Sequence, residues 1–326
     1  MEFNSSSPGQ NAIDMSLEEK IVMGFALSLV FLVGVPGNVM VIWTIRSHIK
    51  KRSATIQLVL NLALADLLTV LIVPLIIYEI TAECLPASLF WMPKTTTYLL
   101  LAFMYVSVFT ITAISVLRLL AVLHIFTLQN LQRRGTTGKI IAALWAVALL
   151  CAGPAFTGSQ LDHGCAEKFG LRHEAAYILG NLLGFDIPLI VMCLCYALVV
   201  RRLKQMAFRT KRRGAVLLMR VLVAFILCWL PWNITNALLI CSYHTTGHTR
   251  EALLKTVSDM KAFTTILAFV NSCINPILYA FTFRHFQVGF KMSNIAKLFE
   301  EMNSSFKEKS DKAAVDLTEQ STALNK

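Results

Sequence analysis

Hydrophobic positions in this chain run on without the alternation of a half-buried strand or the one-sided stripe of a surface helix. Seven apolar stretches recur, at roughly 21–45, 54–78, 95–117, 140–158, 175–200, 221–240 and 262–283, each close to the ~20 residues that cross a bilayer core. Such runs predict helices, because an unpaired backbone group is too costly in lipid and barrel strands are about half as long. The first, third, fourth, sixth and seventh contain no Asp, Glu, Lys or Arg. Pro36, Pro74, Pro154, Pro188, Pro231 and Pro276 fall inside them. Membrane helices accommodate such prolines, since neighbouring groups re-satisfy the freed backbone. The pattern predicts an all-α membrane protein, a seven-transmembrane helix bundle. No repeat of 20–50 residues is present, and an odd number of spans argues against two equal transporter halves.

The polar connections alternate in charge. Those at 46–53, 125–139 and 201–213 carry fourteen Lys and Arg, against six in the opposite connections. Basic loops stay in the cytoplasm, which puts residues 1–20 outside as an extracellular N-terminus without a signal peptide. It puts 301–326 inside as a polar, disordered tail. Asn4-Ser5-Ser6 is then a glycosylation sequon on the outer side. Between bundle (21–283) and tail, Phe283, Phe286, Phe290 and Ile295 recur at helical spacing among Arg284, Lys291 and Lys297. This reads as an amphipathic eighth helix on the membrane surface over 284–300.

Composition agrees: 326 residues, 56% hydrophobic and only 15% charged, with mean hydropathy +0.62. The net charge of +11 belongs to this topology and not to a nucleic-acid partner. Eight cysteines without CxxC or a His cluster suggest neither a disulfide scaffold nor zinc. HExxH, GxSxG and the P-loop are absent from the sequence, so it does not read as an enzyme.

Asp66 sits mid-span, and Asn38, Ser107, Asn271, Ser272 and Asn275 recur at similar depth on other helices. Ionisable groups at such depth mark function by default. Two readings stand: oxygen ligands for a hard cation, or a hydrogen-bond network joining helices.

Across residues 20–300 the chain resembles the rhodopsin-like G-protein-coupled receptors. The matching motifs are Gly37-Asn38, Leu62-Ala63-Leu64-Ala65-Asp66, Trp145, Pro188 with Tyr196, Phe225 with Cys228-Trp229-Leu230-Pro231, and Asn275-Pro276-Ile277-Leu278-Tyr279. Within the family, Lys51-Arg52-Ser53-Ala54-Thr55, Val288-Gly289-Phe290, Ala296-Lys297-Leu298-Phe299-Glu300 and the terminal Leu-Asn-Lys are similar to the leukotriene B4 receptors. The resemblance implies an allosteric sodium site at Asp66, Ser107, Asn271 and Ser272, with no other cofactor. It implies a switch of Phe225, Trp229 and Pro231 under the ligand. Arg118, Tyr196, Asn275, Pro276 and Tyr279 would form the inner contacts that open to a heterotrimeric G protein. Arrestin and a receptor kinase would act on the tail, and the plasma membrane is the implied location.

The same resemblance exposes departures. Leu117 precedes Arg118 where the family has Asp or Glu. Losing that acid implies raised basal signalling, or lost coupling in a non-signalling decoy receptor. The usual cysteine at the outer end of the third span is missing, which leaves Cys84 as a substitute partner for Cys165. An amine ligand is disfavoured by Leu100 and Leu101, and retinal by Phe269. Alignment lines the upper pocket with Thr97, Tyr98, Leu101, Met104, Asn181, Trp232, Asn236, Lys261 and Thr265. Lys261 would attract a carboxylate. The expected ligand is a small anionic lipid mediator, leukotriene B4-like, with a peptide chemoattractant as the alternative. The leukotriene receptors' other polar positions are Ser159 and Gly180 here.

Overall fold

A computed structural model describes residues 16–49, 53–82, 87–89, 91–123, 135–156, 171–204 and 212–283. Their helices, in chain order, are α1 (Leu17–His48), α2 (Ala54–Leu71), α3 (Val73–Thr81), α4 (Met92–Leu123), α5 (Thr136–Ala152), α6 (Leu171–Asn181), α7 (Ile187–Lys204), α8 (Arg212–Tyr243) and α9 (His248–Phe283). No strand occurs among the described residues. Six stretches of these helices are long and apolar enough to span a membrane. The fourth span is the shorter α5, continued by a 3-10 turn over Gly153–Phe156. The expected eighth helix, Asn4, Cys84, Cys165 and the tail lie outside the described residues.

Local chemistry sets the helix boundaries. Ser16 caps α1: its Oγ accepts the Glu19 N–H at 3.2 Å, and the Glu19 carboxylate accepts the Ser16 N–H at 2.7 Å. This reciprocal capping box satisfies donors that a helix start leaves orphaned. The second span is divided at Ile72, between α2 and α3, with Pro74 in the first turn of α3. Proline fits there because its missing N–H would have been unpaired anyway. Pro188 follows a π-helical turn over Leu182–Asp186, which joins α6 to α7 in the fifth span. Pro36, Pro231 and Pro276 lie inside continuous helices. The seventh span begins well before the expected residue 262, since α9 extends back to His248.

The largest buried cluster joins Leu27, Leu62, Val108, Phe185, Phe225, Trp229 and Phe269, drawn from every span except the fourth. Lateral contact is most extensive between α8 and α9, with α2 packed on α4 and α1 on both α2 and α9. Gly34 permits the α1 contacts: a Cβ there would lie 2.8 Å from Cys273 Sγ and 3.0 Å from Val70. Large apolar side chains such as Phe25, Leu32, Leu150 and Leu227 stay exposed, as on a surface whose solvent is lipid.

Candidate functional site

Near the middle of the bundle, Asp66 is wholly buried. Ser107 Oγ donates to its Oδ1 at 2.8 Å, Asn275 Nδ2 donates to Oδ2 at 2.7 Å, and the Ser272 hydroxyl also donates to the carboxylate. Asn38 Nδ2 extends the network by donating to the carbonyls of Gly34 and Ser272, each at 3.0 Å. Three spans therefore meet at one carboxylate, and Asn38 ties a fourth into the surrounding network. Asn271, the fourth expected sodium ligand, is buried beside this group and gives its backbone carbonyl to Asn275 Nδ2. Alongside, Asn61 donates to Thr110 Oγ1 at 2.8 Å and accepts from Trp145 Nε1 at 2.9 Å, tying α2 to α4 and α5.

Above this network lies an aromatic stack. Phe185 and Phe225 are stacked at 5.7 Å between centroids, and Phe225 meets Trp229 at 6.4 Å. The Trp229 indole N–H is buried without a hydrogen-bond partner among the described residues, so rotating the ring breaks no hydrogen bond to them. Around Pro231, the Asn233 amide donates to the Trp229 carbonyl at 2.8 Å and the Thr235 hydroxyl to the Pro231 carbonyl at 3.0 Å. Both bonds run back one turn onto the helix's own carbonyls, next to the turn in which Pro231 supplies no N–H to the Leu227 carbonyl.

The expected pocket residues divide into two sets. Asn236 Nδ2 donates to Asn181 Oδ1 at 3.0 Å, linking the sixth span to the fifth. Met104 belongs to the central cluster, and Trp232 packs against it. Tyr98 and Leu101 instead pack into the seam between α4 and α5 with Ala148 and Ala152. The Tyr98 hydroxyl donates to the Leu149 carbonyl at 3.3 Å. This departs from the lining role expected of them. Tyr98 and Leu101, three residues apart, share one face of α4, while Leu100, which packs against the central cluster, lies on another. Thr97 is half-buried on α4. The Thr265 hydroxyl is committed to the Lys261 carbonyl at 2.8 Å. Lys261 itself is half-buried, and its ammonium has no carboxylate partner among the described residues. At Gly180, a Cβ would lie 3.4 Å from the Tyr105 hydroxyl. Any acid placed there would have to share the space with that ring.

At the other end, Leu117 is 6% exposed and packs with Ala54, Leu58 and Ala121, against Ile141 and Leu144 of α5. The position that carries an acid in the family is thus part of an apolar seam here. Tyr196 borders a small cavity with Ser115, Met192 and Leu222. The side chain of Tyr279 lies outside the described part of the structure.

The model of the family "7 transmembrane receptor (rhodopsin family)" matches residues 37–279, from Gly37 before Asn38 to the tyrosine that ends the Asn275-Pro276 motif. The chain belongs to the rhodopsin-like receptor family. Among its relatives, mouse chemerin-like receptor 2 is 30% identical, covering 85% of this chain and 82% of its own. Zebrafish apelin receptor B is 32% identical over 78% and 77%, and human leukotriene B4 receptor 1 is 31% identical over 85% and 81%. These identities stand level, so overall similarity gives none of the three precedence. Membership makes this rhodopsin-like receptor a multi-pass membrane protein of the G-protein-coupled class, and it fits the convergence of spans on Asp66.

One ionisable residue in this receptor escaped the reading of the sequence. Glu79 lies one position beyond the expected end of the second span, where it reads as the start of a loop. In the structure it is on α3 and 4% exposed; Thr96 of α4 donates to its carboxylate, while Oε1 has no partner among the described residues. The signal was available: Val73, Ile76 and Glu79 recur every third residue on the buried face of α3. A buried unpaired oxygen costs about 1–3 kcal/mol. Glu79→Leu is therefore expected to leave the unfolding midpoint of the solubilised receptor unchanged or slightly higher. A large fall would mean that Glu79 holds the fold.

Proposed function

We propose that this receptor resides in the plasma membrane with its N-terminus outside and transmits binding of an acidic ligand, of the anionic lipid-mediator class, to a heterotrimeric G protein. The observation carrying this reading is Lys261: a half-buried ammonium on α9, unmatched by any described carboxylate. Charge-assisted hydrogen bonds contribute about 1.5–3 kcal/mol, so Lys261→Ala should weaken the potency of an acidic agonist by about 10- to 150-fold. G-protein dissociation in cells exposed to a panel of acidic lipids, leukotriene B4 included, would measure this. An agonist response of undiminished potency in Lys261→Ala would defeat the assignment of Lys261.

Glu79 favours a second reading. A buried acid with a spare oxygen suits a ligand that carries an ammonium or guanidinium group, as a peptide can, and would repel a second carboxylate. The relatives named for chemerin and apelin keep this alternative in view. Addition of peptides to the same assay separates the two.

Signalling would follow from two packings of the bundle. Ligand and G protein each bind one packing better, so each raises the other's affinity. Trp229, with no hydrogen bond to give up, is the side chain suited to turn between them. The donor set around Asp66 suits a sodium ion: a carboxylate and the hydroxyls of Ser107 and Ser272 are the oxygen groups that hard cations take. Bound there, sodium would neutralise the carboxylate and hold the surrounding spans in the inactive packing. Tail phosphorylation by a receptor kinase and arrestin recruitment belong to the same proposal.

A further inference from the structure

At the end of the bundle away from the basic connections, three polar pairs step outward between α6 and α8. The deepest is the Asn236–Asn181 bond described above. Next, Tyr243 and Tyr177 lie close enough to interact. Outermost, His244 Nε2 stands 2.7 Å from Glu174 Oε1. The order is that of antiparallel helices: positions 181, 177 and 174 rise along α6 about a turn at a time, while 236, 243 and 244 rise along α8. Contact between α6 and α8 is slight beside that between α8 and α9. The polar pairs are therefore a large part of what joins the fifth span to the sixth at this end.

Both halves of the outermost pair are held in place. The His244 N–H donates to the Cys241 carbonyl at 3.1 Å, and the Thr245 hydroxyl donates to the same carbonyl at 3.2 Å. Gly247, at φ 66°, then turns the chain into α9. Glu174 belongs to the first turn of α6, where a carboxylate suits the positive end of the helix.

A carboxylate only accepts, so Nε2 carries the hydrogen in this bond. A second proton, on Nδ1, turns a neutral hydrogen bond into an ion pair. Histidine is the side chain whose charge changes between about pH 5 and 8. Among the described residues, the other titratable or charged groups around the pair are Tyr177 of α6, Tyr243 and Cys241 of α8, and His248, Arg250 and Glu251 at the start of α9. Tyrosine, cysteine, arginine and carboxylate groups ordinarily keep one charge state from about pH 5.5 to 7.5. His248 is exposed and its partner, Glu251, lies 3.8 Å away on the same helix, so its proton joins no two spans.

We infer that His244 and Glu174 form a proton-operated latch between the fifth and sixth spans, tightened in acid and slackened as the pH rises. The sixth span carries Trp229 and Pro231, so its attachment to the fifth bears on both packings of the bundle. The orientation proposed above places the latch in the extracellular medium. The inference rests on that orientation only for the side from which the proton arrives.

Hydrogen–deuterium exchange of the full-length receptor in detergent tests the latch without any agonist, and there both ends of the bundle meet the same buffer. Comparing His244→Gln with wild type at one pH removes the intrinsic pH dependence of exchange, and glutamine keeps a neutral donor. At about pH 5.5, amides in 174–181 of α6 and 236–244 of α8 should exchange about 1.4- to 5-fold faster in His244→Gln, the change expected of one partly exposed ion pair. At about pH 8 the two should match. Glu174→Gln should lose the same protection in acid, with no further loss in the double variant, and His248→Gln should keep it. Equal exchange at the acid pH overturns the inference, as does an equal difference at both pH values, which would mean packing alone. Should the variants fold poorly, wild type decides: after correction for intrinsic rates, acid must protect these two segments above the rest of the bundle, and a uniform response overturns the latch. None of these outcomes depends on Lys261, so failure here leaves the ligand reading untouched.

Discussion

Asp66→Ala should destabilise this receptor more than truncation of any other single polar side chain in the bundle. The carboxylate accepts from Ser107, Asn275 and Ser272, and removing it leaves those donors facing a cavity. Each donor left unsatisfied in a buried site costs about 1–3 kcal/mol. The unfolding midpoint in detergent should fall steeply, with reduced delivery to the cell surface. Asp66→Asn preserves the shape and an acceptor for Ser107, but sets an amide NH₂ against the Asn275 NH₂, so its loss should be intermediate. The same pair of variants tests the sodium proposal. An ion that binds the folded receptor raises its midpoint according to its concentration over its dissociation constant. Wild type should gain stability in sodium chloride over choline chloride at equal ionic strength, and Asp66→Asn should not. A sodium-insensitive wild type would remove the ion from the proposal, while a mild Asp66→Ala phenotype would remove the network from the fold.

The second large effect is expected at Leu117. In a relative with an acid at this position, the acid can pair with the neighbouring arginine and bias the bundle toward its inactive packing. Here Leu117 packs instead into the α2, α4 and α5 seam. Leu117→Asp should lower basal G-protein signalling about 1.4- to 5-fold, the equivalent of about 0.2–1 kcal/mol for a new ion pair with the half-buried Arg118. It should also cost stability, because the carboxylate enters an apolar seam. Leu117→Ala separates charge from packing. It should cost about 2–5 kcal/mol of stability through the cavity it opens without lowering the basal signal. Unchanged or higher basal signalling in Leu117→Asp would contradict the idea that the missing acid releases the receptor. A wild type with no basal signal and no response to any ligand would favour the decoy.

Much of this architecture was legible because membrane spans are governed by length and hydropathy alone. The position of Asp66 within its run marked the polar centre, and the Asn275-Pro276 motif marked its partner. The divided second span was harder to read. Pro74 is visible in sequence, but a proline can kink a helix, start one or be absorbed, and the surrounding packing selects among these. The fifth span's π turn before Pro188 and the early start of α9 at His248 have the same character. Glu79 was lost to a boundary error of one residue, because hydropathy windows cannot place a span end that closely.

The facing of individual side chains around the upper half of α4 was beyond the sequence. Tyr98 and Leu101 differ from Met104 only in which neighbour their helix face meets, and small rotations of a helix decide that.

By itself the sequence determined the class of this protein, its seven spans, their expected orientation and the existence of a buried polar centre. Apolar run length, loop charge and isolated polar residues in lipid each act locally and carry large energies. Only the tertiary structure decided which donors reach Asp66, that Glu79 is buried with an oxygen unpaired among the described residues, and that Leu117 fills an apolar seam. Those features depend on helix rotation and register, which are set by close packing between spans distant in sequence.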